Sequence, residues 1–274
     1  MENYILSEIN IYPVKSLGGI LLNESKIEQR GLQYDRRWVL VDENNRFISQ
    51  REIHKLCLFR LSFENNGFKI TNDEYSSAIN IPFGVQSGRN ANVTVWDDTC
   101  SAIHYSAEAD KWISDIIGSN CRLMYMPDSC KREVNKDFVI DNDIVSFVDA
   151  FPILILGQSS MDNYNKISGN NFKINRFRPS LVFKGGEAHD EDRWKKFTLN
   201  ETEYNVIKPC SRCEITTVEQ ETGIAGKEPL ATLAKYRKQG HRILFGMYVL
   251  TGKLNENSIV KVGSEIEVDK EAEI

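Results

Sequence analysis

Two thiols, Cys210 and Cys213, flank a serine and an arginine in the stretch "KPCSRCEITTVEQETG". Such a pair has three chemistries open to it: a dithiol redox centre, half of a zinc site, or a thiolate ligand for another metal. A thioredoxin-type centre opens a helix whose N-terminal dipole lowers the first thiol's pKa. Here the run from Glu214 to Val218 reads as a strand, so that dipole is missing. A structural zinc site needs four ligands, and no second Cys-x-x-Cys or His-x-His stands at suitable spacing. The four histidines, His54, His104, His189 and His241, are scattered and read as ordinary polar or partly buried residues. A soft thiolate could still bind one end of a cofactor that brings its own remaining ligands.

An anionic cofactor would need cations, and three segments offer them. "PVKSLGG" sets Lys15 and Ser16 beside flexible glycines, "YDRRW" carries Arg36 and Arg37, and "NRFRPS" carries Arg176 and Arg178. Guanidinium forks grip phosphate oxygens bidentately, while lysine and serine add a point charge and a hydroxyl. Each group also has a plain reading. A surface arginine is usually just solvated, and Asp35 or Glu52 could pair with these residues at little net energy.

Composition places these motifs in an ordinary globular chain, with 274 residues, 41% hydrophobic and 27% charged. The length suits one large domain or two modest ones, and the reading here is two. A net charge of -5 leaves no general basic footprint for a nucleic-acid polymer, although a local cationic pocket can hide in such an average. The N-terminus lacks the basic and apolar regions of a signal peptide, and no apolar run approaches the roughly 18 residues of a membrane span. The chain therefore reads as cytoplasmic, with no membrane partner and with its six cysteines mostly reduced. Cys57 in "KLCLFRL" and Cys121 in "NCRLMYM" read as small buried hydrophobes.

The elements that must position the motifs are mostly strands. "ILSEINIYPV" alternates through Ile5, Ile9 and Ile11 and should end at Pro13. "RRWVLVDENNRFISQ" reads as two β-rich runs around a polar turn, and "LFRLSFENNGFKI" as a hairpin around Asn66-Gly67. "SAEADKWISDIIG" predicts a helix, with Ser106 as N-cap, Trp112, Ile113, Ile116 and Ile117 on one face, and Gly118 as the stop. The polar stretch "MPDSCKREVNKD" separates residues 1–130 from 131–274. Beyond it follow the strand "FPILILG", a helix capped near Ser159 or Ser160, "NRFRPSLVF", the helix "EPLATLAKYRK", and strands "FGMYVL" and "SIVKVGSEIEV". The predicted class is β-rich α+β, a barrel with helical additions.

Together "IYPVKSLGG", "GLQYDRRWVLVDENNRFISQRE", "NRFRPSLVF", "KPCSRCEITTVEQETG", "EPLATLAKYR" and "FGMY" resemble, over nearly the whole chain, the MOSC family preceded by its N-terminal β-barrel partner. The layout is similar to that of the mitochondrial amidoxime-reducing components and their bacterial counterparts. The resemblance implies a MOSC-type β-barrel domain after a smaller N-terminal β-barrel-like domain, and a molybdenum cofactor. It makes Cys213 the molybdenum ligand, with Cys210 in support. Cofactor contacts carry over onto Lys15, Ser16, Arg36, Arg178, Ser211, Arg212 and Tyr248. Asp149 in "SFVDAFP" lies where the family approaches the cofactor, through backbone as much as carboxylate. Ser180 stands where these relatives commonly have asparagine, so hydrogen bonding to the pterin would differ there.

The activity implied is reduction of small N-hydroxylated compounds: amidoximes, hydroxylamines or N-hydroxylated bases. No four-cysteine ferredoxin module follows "VKVGSEIEV", so electrons should come from a separate reductase, a flavoprotein or a ferredoxin- or cytochrome-type protein. Two other readings stay open. A persulfide on Cys213 would make the chain a sulfur carrier, and the same cationic pocket without a reductase would make it a molybdopterin-binding or delivery protein.

Overall fold

The computed structural model describes residues 3–84, 88–140 and 143–270. Its first strand, Tyr4–Ile11, buries Tyr4, Leu6, Ile9 and Ile11. The alternation changes phase in the middle because pairing with Leu181–Lys184 shifts register between Leu6 and Glu8. Such a bulge moves every later side chain to the other face. Ile5, read with Ile9 and Ile11 as one face, is consequently only half-buried.

Seven strands close into a barrel. In order around it run Ile153–Gly157, Leu181–Lys184, Tyr4–Ile11, Glu265–Lys270, Trp194–Leu199, Thr202–Ser211 and Arg242–Thr251, and the last pairs back with the first. The Ile153–Gly157 and Leu181–Lys184 pair is parallel. A parallel pair needs a long crossover, which the helix Gln158–Ser168 supplies. That helix starts at Gly157 with no side-chain cap, so Ser159 and Ser160 are not its caps. Ser160 instead donates to buried Glu191 at 2.9 Å. The helix Leu230–Tyr236 joins it on the barrel's outer wall, where Met161, Tyr164, Phe177, Leu233 and Phe245 pack together.

The N-terminal region is a half-barrel. Trp38–Val41, Arg122–Tyr125, Asp98–His104 and Asn90–Val95 make one sheet, and Phe59–Glu64, Gly67–Asn72 and Tyr75–Pro82 another. The predicted helix is present as Ala107–Ile117, with the Ser106 hydroxyl accepting from the Ala109 N–H at 3.1 Å and Gly118 left-handed after it. The hairpin turn lies one residue earlier than predicted, at Asn65 and Asn66, since Glu64 pairs with Gly67. Gly67 is required for another reason: a Cβ there would meet the Ile81 carbonyl at 2.3 Å. The second run after Val41 forms only isolated bridges, Phe47 with Val41 and Arg46 with Thr94, because the Asp42 carboxylate holds the Asn44 and Arg46 N–H groups in a turn. "SIVKVGSEIEV" divides between two sheets, Ile259–Lys261 pairing with Glu24–Glu28 while Glu265–Lys270 enters the barrel.

The barrel and the half-barrel share one apolar core. Leu6, Ile9, Leu181 and Val249 of the barrel belong to the same buried cluster as Trp38, Phe59 and Phe68. Tyr4–Ile11 enters the barrel before the chain builds the N-terminal sheets, so the segment just after it, which holds Lys15 and Ser16, passes along the seam.

Candidate active site

The cysteine pair stands where a barrel strand ends. Cys210 lies on Thr202–Ser211 and is buried, whereas Cys213 is half-exposed just beyond the strand. Both are free thiols. The residues after them do not continue as a strand: Glu214–Thr217 forms one 3-10 turn. The β-branched run predicted extended structure, but the Thr216 hydroxyl donates to the Cys213 carbonyl at 2.9 Å and that of Thr217 to Glu214 at 2.7 Å. Local hydroxyl bonds of this kind compete with a sheet ladder. Arg176, donating to the Thr216 carbonyl and paired with Glu219, braces the turn from behind.

One cleft gathers Lys15, Ser16, Arg36, Asp149, Arg178, Ser180, Ser211, Arg212, Cys213 and Tyr248, all ten residues carried over from the resemblance. Gln50, Arg51, Phe177 and Thr216 complete much of its wall. The segments arrive from far apart in the chain because the barrel brings their ends together at the seam with the half-barrel. The arginine pairs divide between two tasks. Arg36 and Arg178 face the cleft, while Arg37 donates to the Met126 carbonyl and Asp128, and Arg176 holds the 3-10 turn. None of the four histidines lines the cleft.

Five cations, Lys15, Arg36, Arg51, Arg178 and Arg212, meet one carboxylate, Asp149, along this wall. Lys15 donates to Asp149 at 2.5 Å and to the Phe147 carbonyl at 2.7 Å. Burial alone would raise the Asp149 carboxyl, but Lys15, Arg51 and the Trp96 indole hold it well below the usual carboxylate range. Burial lowers the Lys15 ammonium, and Asp149 opposes that shift. Arg36 pairs with buried Asp35 at 2.5 Å, the one expected compensating pair that forms here. Glu52 pairs with Arg46 instead.

Arg36 and Arg178 both stack on Tyr12, at 4.3 and 4.1 Å from the ring centre. Both occupy the left-handed backbone region, at φ 48 and 54, which turns their side chains toward the same wall. Arg178 has no carboxylate at ion-pair distance among the described residues, and burial, with Arg36 adding to it, pushes its guanidinium down to about 10.

Around the thiols, Arg212 donates to Cys210 at 2.9 Å and to the Phe177 carbonyl at 2.5 Å. The Tyr248 hydroxyl is pushed far up, first by burial and then by Cys210. Ser180 accepts the Leu154 N–H at 3.3 Å, so some of its hydroxyl's bonding is already spent on the barrel. Among the described residues no three His, Cys, Asp or Glu side chains surround a common metal position. A metal held here by Cys213 would need its other ligands from a bound molecule.

Residues 4–120 match the MOSC N-terminal beta barrel domain, and residues 142–267 match the MOSC domain. The chain belongs to the MOSC domain family. It is 26% identical to mitochondrial amidoxime-reducing component 1 of Mus musculus, over 95% of this chain and 81% of that protein. It is likewise 26% identical to mitochondrial amidoxime reducing component 2 of Homo sapiens, over 94% and 80%. The molybdenum cofactor sulfurase of Danio rerio is 25% identical, over 95% of this chain but 34% of its own length.

Arg51 lines the same cleft, although no motif pointed to it. Its guanidinium donates to the Cys213 sulfur at 3.1 Å and lies 3.6 Å from Asp149. "SQREI" gives little sign of this, since an arginine between polar neighbours defaults to solvent. Its Nη1 is nevertheless buried and without a hydrogen-bond partner among the described residues, and Arg212 Nε is in the same condition.

Proposed function

We propose that this MOSC protein is a molybdenum-cofactor-dependent reductase of N-hydroxylated compounds. The observation that carries the reading is a half-exposed thiol, Cys213, set in a cleft of five cations against one carboxylate in a chain of net charge -5. Buried polar atoms are normally satisfied. Among the described residues Arg51 Nη1 and Arg212 Nε have no hydrogen-bond partner and Arg178 has no carboxylate at ion-pair distance, so the residues fit an anionic group that carries its own acceptors. Cys213 would ligate the metal, while Lys15, Ser16, Arg36, Arg178, Ser180, Ser211, Arg212 and Tyr248 would hold the pterin and its phosphate. When bound, the cofactor would supply two-electron redox chemistry.

The overall reaction balances as R–NH–OH plus two electrons and two protons giving R–NH2 and water, with the electrons delivered by a separate cytoplasmic donor protein. The chain's own residues bind and orient. The cationic wall would neutralise the cofactor's phosphate, Arg51 would hold the Cys213 sulfur in place, and Asp149, held ionised by Lys15, would bound the side on which a substrate approaches. The described residues include no helix long and apolar enough to cross a membrane.

The test is molybdenum and pterin content per chain after expression in a host that makes the cofactor, together with benzamidoxime turnover by a supplied electron donor. Near-stoichiometric molybdenum and turnover, both lost in Cys213→Ala, are expected. Full pterin with no turnover would make the protein a delivery factor. Absent molybdenum with cyanide-labile sulfur on the protein would make it a sulfur carrier, a reading favoured by the similarity to molybdenum cofactor sulfurases.

A further inference from the structure

A second groove opens beside the cleft and shares Asp149, Ala150 and Phe151 with it. Its charge differs. Four basic side chains stand against four acidic ones, so the groove is balanced where the cleft is cationic. Shape and aromatic contact, rather than net charge, must then govern what enters it.

Trp96 stands on the rim of this groove with 44% of its surface exposed. It is the first of two turn residues between Val95 and Asp98, which pair with each other. Its φ is 56, at a position where two-residue hairpins take glycine or asparagine. A bulky residue in the left-handed region is a backbone outlier, and such outliers gather where a side chain has a task. The indole is also held from three sides. Its N–H donates to Asp149 at 3.1 Å, the Arg51 guanidinium lies 4.6 Å over the ring, and Phe47 packs edge-on at 4.9 Å. Through Arg51 the ring stands one side chain away from the Cys213 sulfur.

We infer that Trp96 is the platform on which the substrate's flat body stacks, so that the site selects aromatic N-hydroxylated compounds, such as aryl amidoximes and N-hydroxylated heterocyclic bases, over aliphatic ones. Any flat heteroaromatic presents a π face to an indole, whereas an alkyl amidoxime does not. This inference rests on the reductase reading above. An indole that only braced Arg51 and Asp149 would act through its N–H, whereas a platform acts through its ring.

The experiment measures binding by calorimetry on cofactor-loaded protein without an electron donor, using benzamidoxime and acetamidoxime as probes. Trp96→Asn suits the left-handed turn, so it keeps the hairpin while removing the ring, and Trp96→Phe keeps a ring while removing the N–H. Benzamidoxime should bind about tenfold more weakly to Trp96→Asn and within about threefold of normal to Trp96→Phe, with acetamidoxime unchanged in both. Unchanged benzamidoxime binding in Trp96→Asn overturns the platform. So does an equal loss for both probes in both variants, which would make Trp96 a brace. Since no turnover is measured, discrimination between the probes by a protein that never reduces them would leave the platform standing and remove the reductase reading.

Discussion

The Arg51 guanidinium reaches the Cys213 sulfur at 3.1 Å across 162 residues of sequence. Arg51 follows the strand Trp38–Val41 of the half-barrel, and Cys213 follows the strand Thr202–Ser211 of the barrel. Through this contact the half-barrel walls a site whose thiol belongs to the barrel. With Asp149 at 3.6 Å and Trp96 beneath it, Arg51 ties three elements together.

Replacing Arg51 tests that tie. Partners that support a ligand typically account for about 10- to 100-fold in metal affinity. Arg51→Ala should lower molybdenum retention on dilution by that order, while Lys15 still pairs with Asp149 and the fold persists. Metal-to-protein ratios across a dilution series check it, with Arg51→Lys expected between the two because an ammonium keeps the charge but loses the fork.

The two cysteines should separate cleanly. Cys213 is half-exposed, and its replacement by alanine should remove molybdenum with a stability change within about 0.5 kcal/mol. Cys210 is buried and accepts from Arg212, so Cys210→Ala leaves the half-buried Arg212 guanidinium short of an acceptor, at about 1 kcal/mol. Urea unfolding and metal analysis of both variants should give opposite orders: C210A less stable yet metallated, C213A stable yet empty.

Arg178 gives the third prediction. It shares Tyr12 with Arg36 and has no acid of its own among the described residues, so the protein without cofactor gains little by keeping it charged. Arg178→Gln should reduce pterin retention roughly tenfold or more, the scale of a lost charge-assisted hydrogen bond. Apoprotein stability should stay level or rise by up to about 1 kcal/mol. Pterin fluorescence and melting curves read the two effects separately. Unfolding of Arg178→Gln with normal pterin binding in the folded fraction would assign Arg178 a structural role.

Glu191 gives the fourth, on pH. It is 1% exposed, accepts from Gly157 N–H and from Ser160, and burial pushes its carboxyl up to about 7 against those bonds. The folded state therefore holds a proton that the unfolded state releases near pH 4.5, so this group costs stability as pH rises from about 4.5 to 7. Neighbouring His189, kept neutral by burial beside Arg237, acts in the other direction as pH falls below its ordinary value. Comparing wild type with Glu191→Gln cancels the histidine. The difference should favour the variant increasingly between pH 5 and 8, on the order of 2–3 kcal/mol at the top. Equal slopes in urea midpoints for both proteins would show that Glu191 does not titrate in that window.

Local chemistry was legible in the chain to the extent that it was written locally. Ser106 and Gly118 bound their helix as read, because a cap needs only neighbours within a turn. Cys213, Arg36 and Arg178 occur in short motifs whose residue types suit an anionic, thiolate-held group, and the cleft does bring them together. The same local reading failed where propensity met competition. Glu214–Thr217 looks like a strand but turns, since its threonine hydroxyls bond the backbone three residues back, and Ile5 lost its place on the buried face to a bulge.

The sequence by itself determined the residue types, their motif spacings and a β-rich chain with its helices in the right places. Only the tertiary structure decided which cations face the cleft and which brace the frame, that Tyr4–Ile11 completes the barrel, and that Arg51 comes to the thiol with Trp96 against its guanidinium. The reason is physical. A cap or a turn is settled by neighbours within a few residues, whereas a guanidinium's partner depends on strand order and closure, which no interval along the chain encodes.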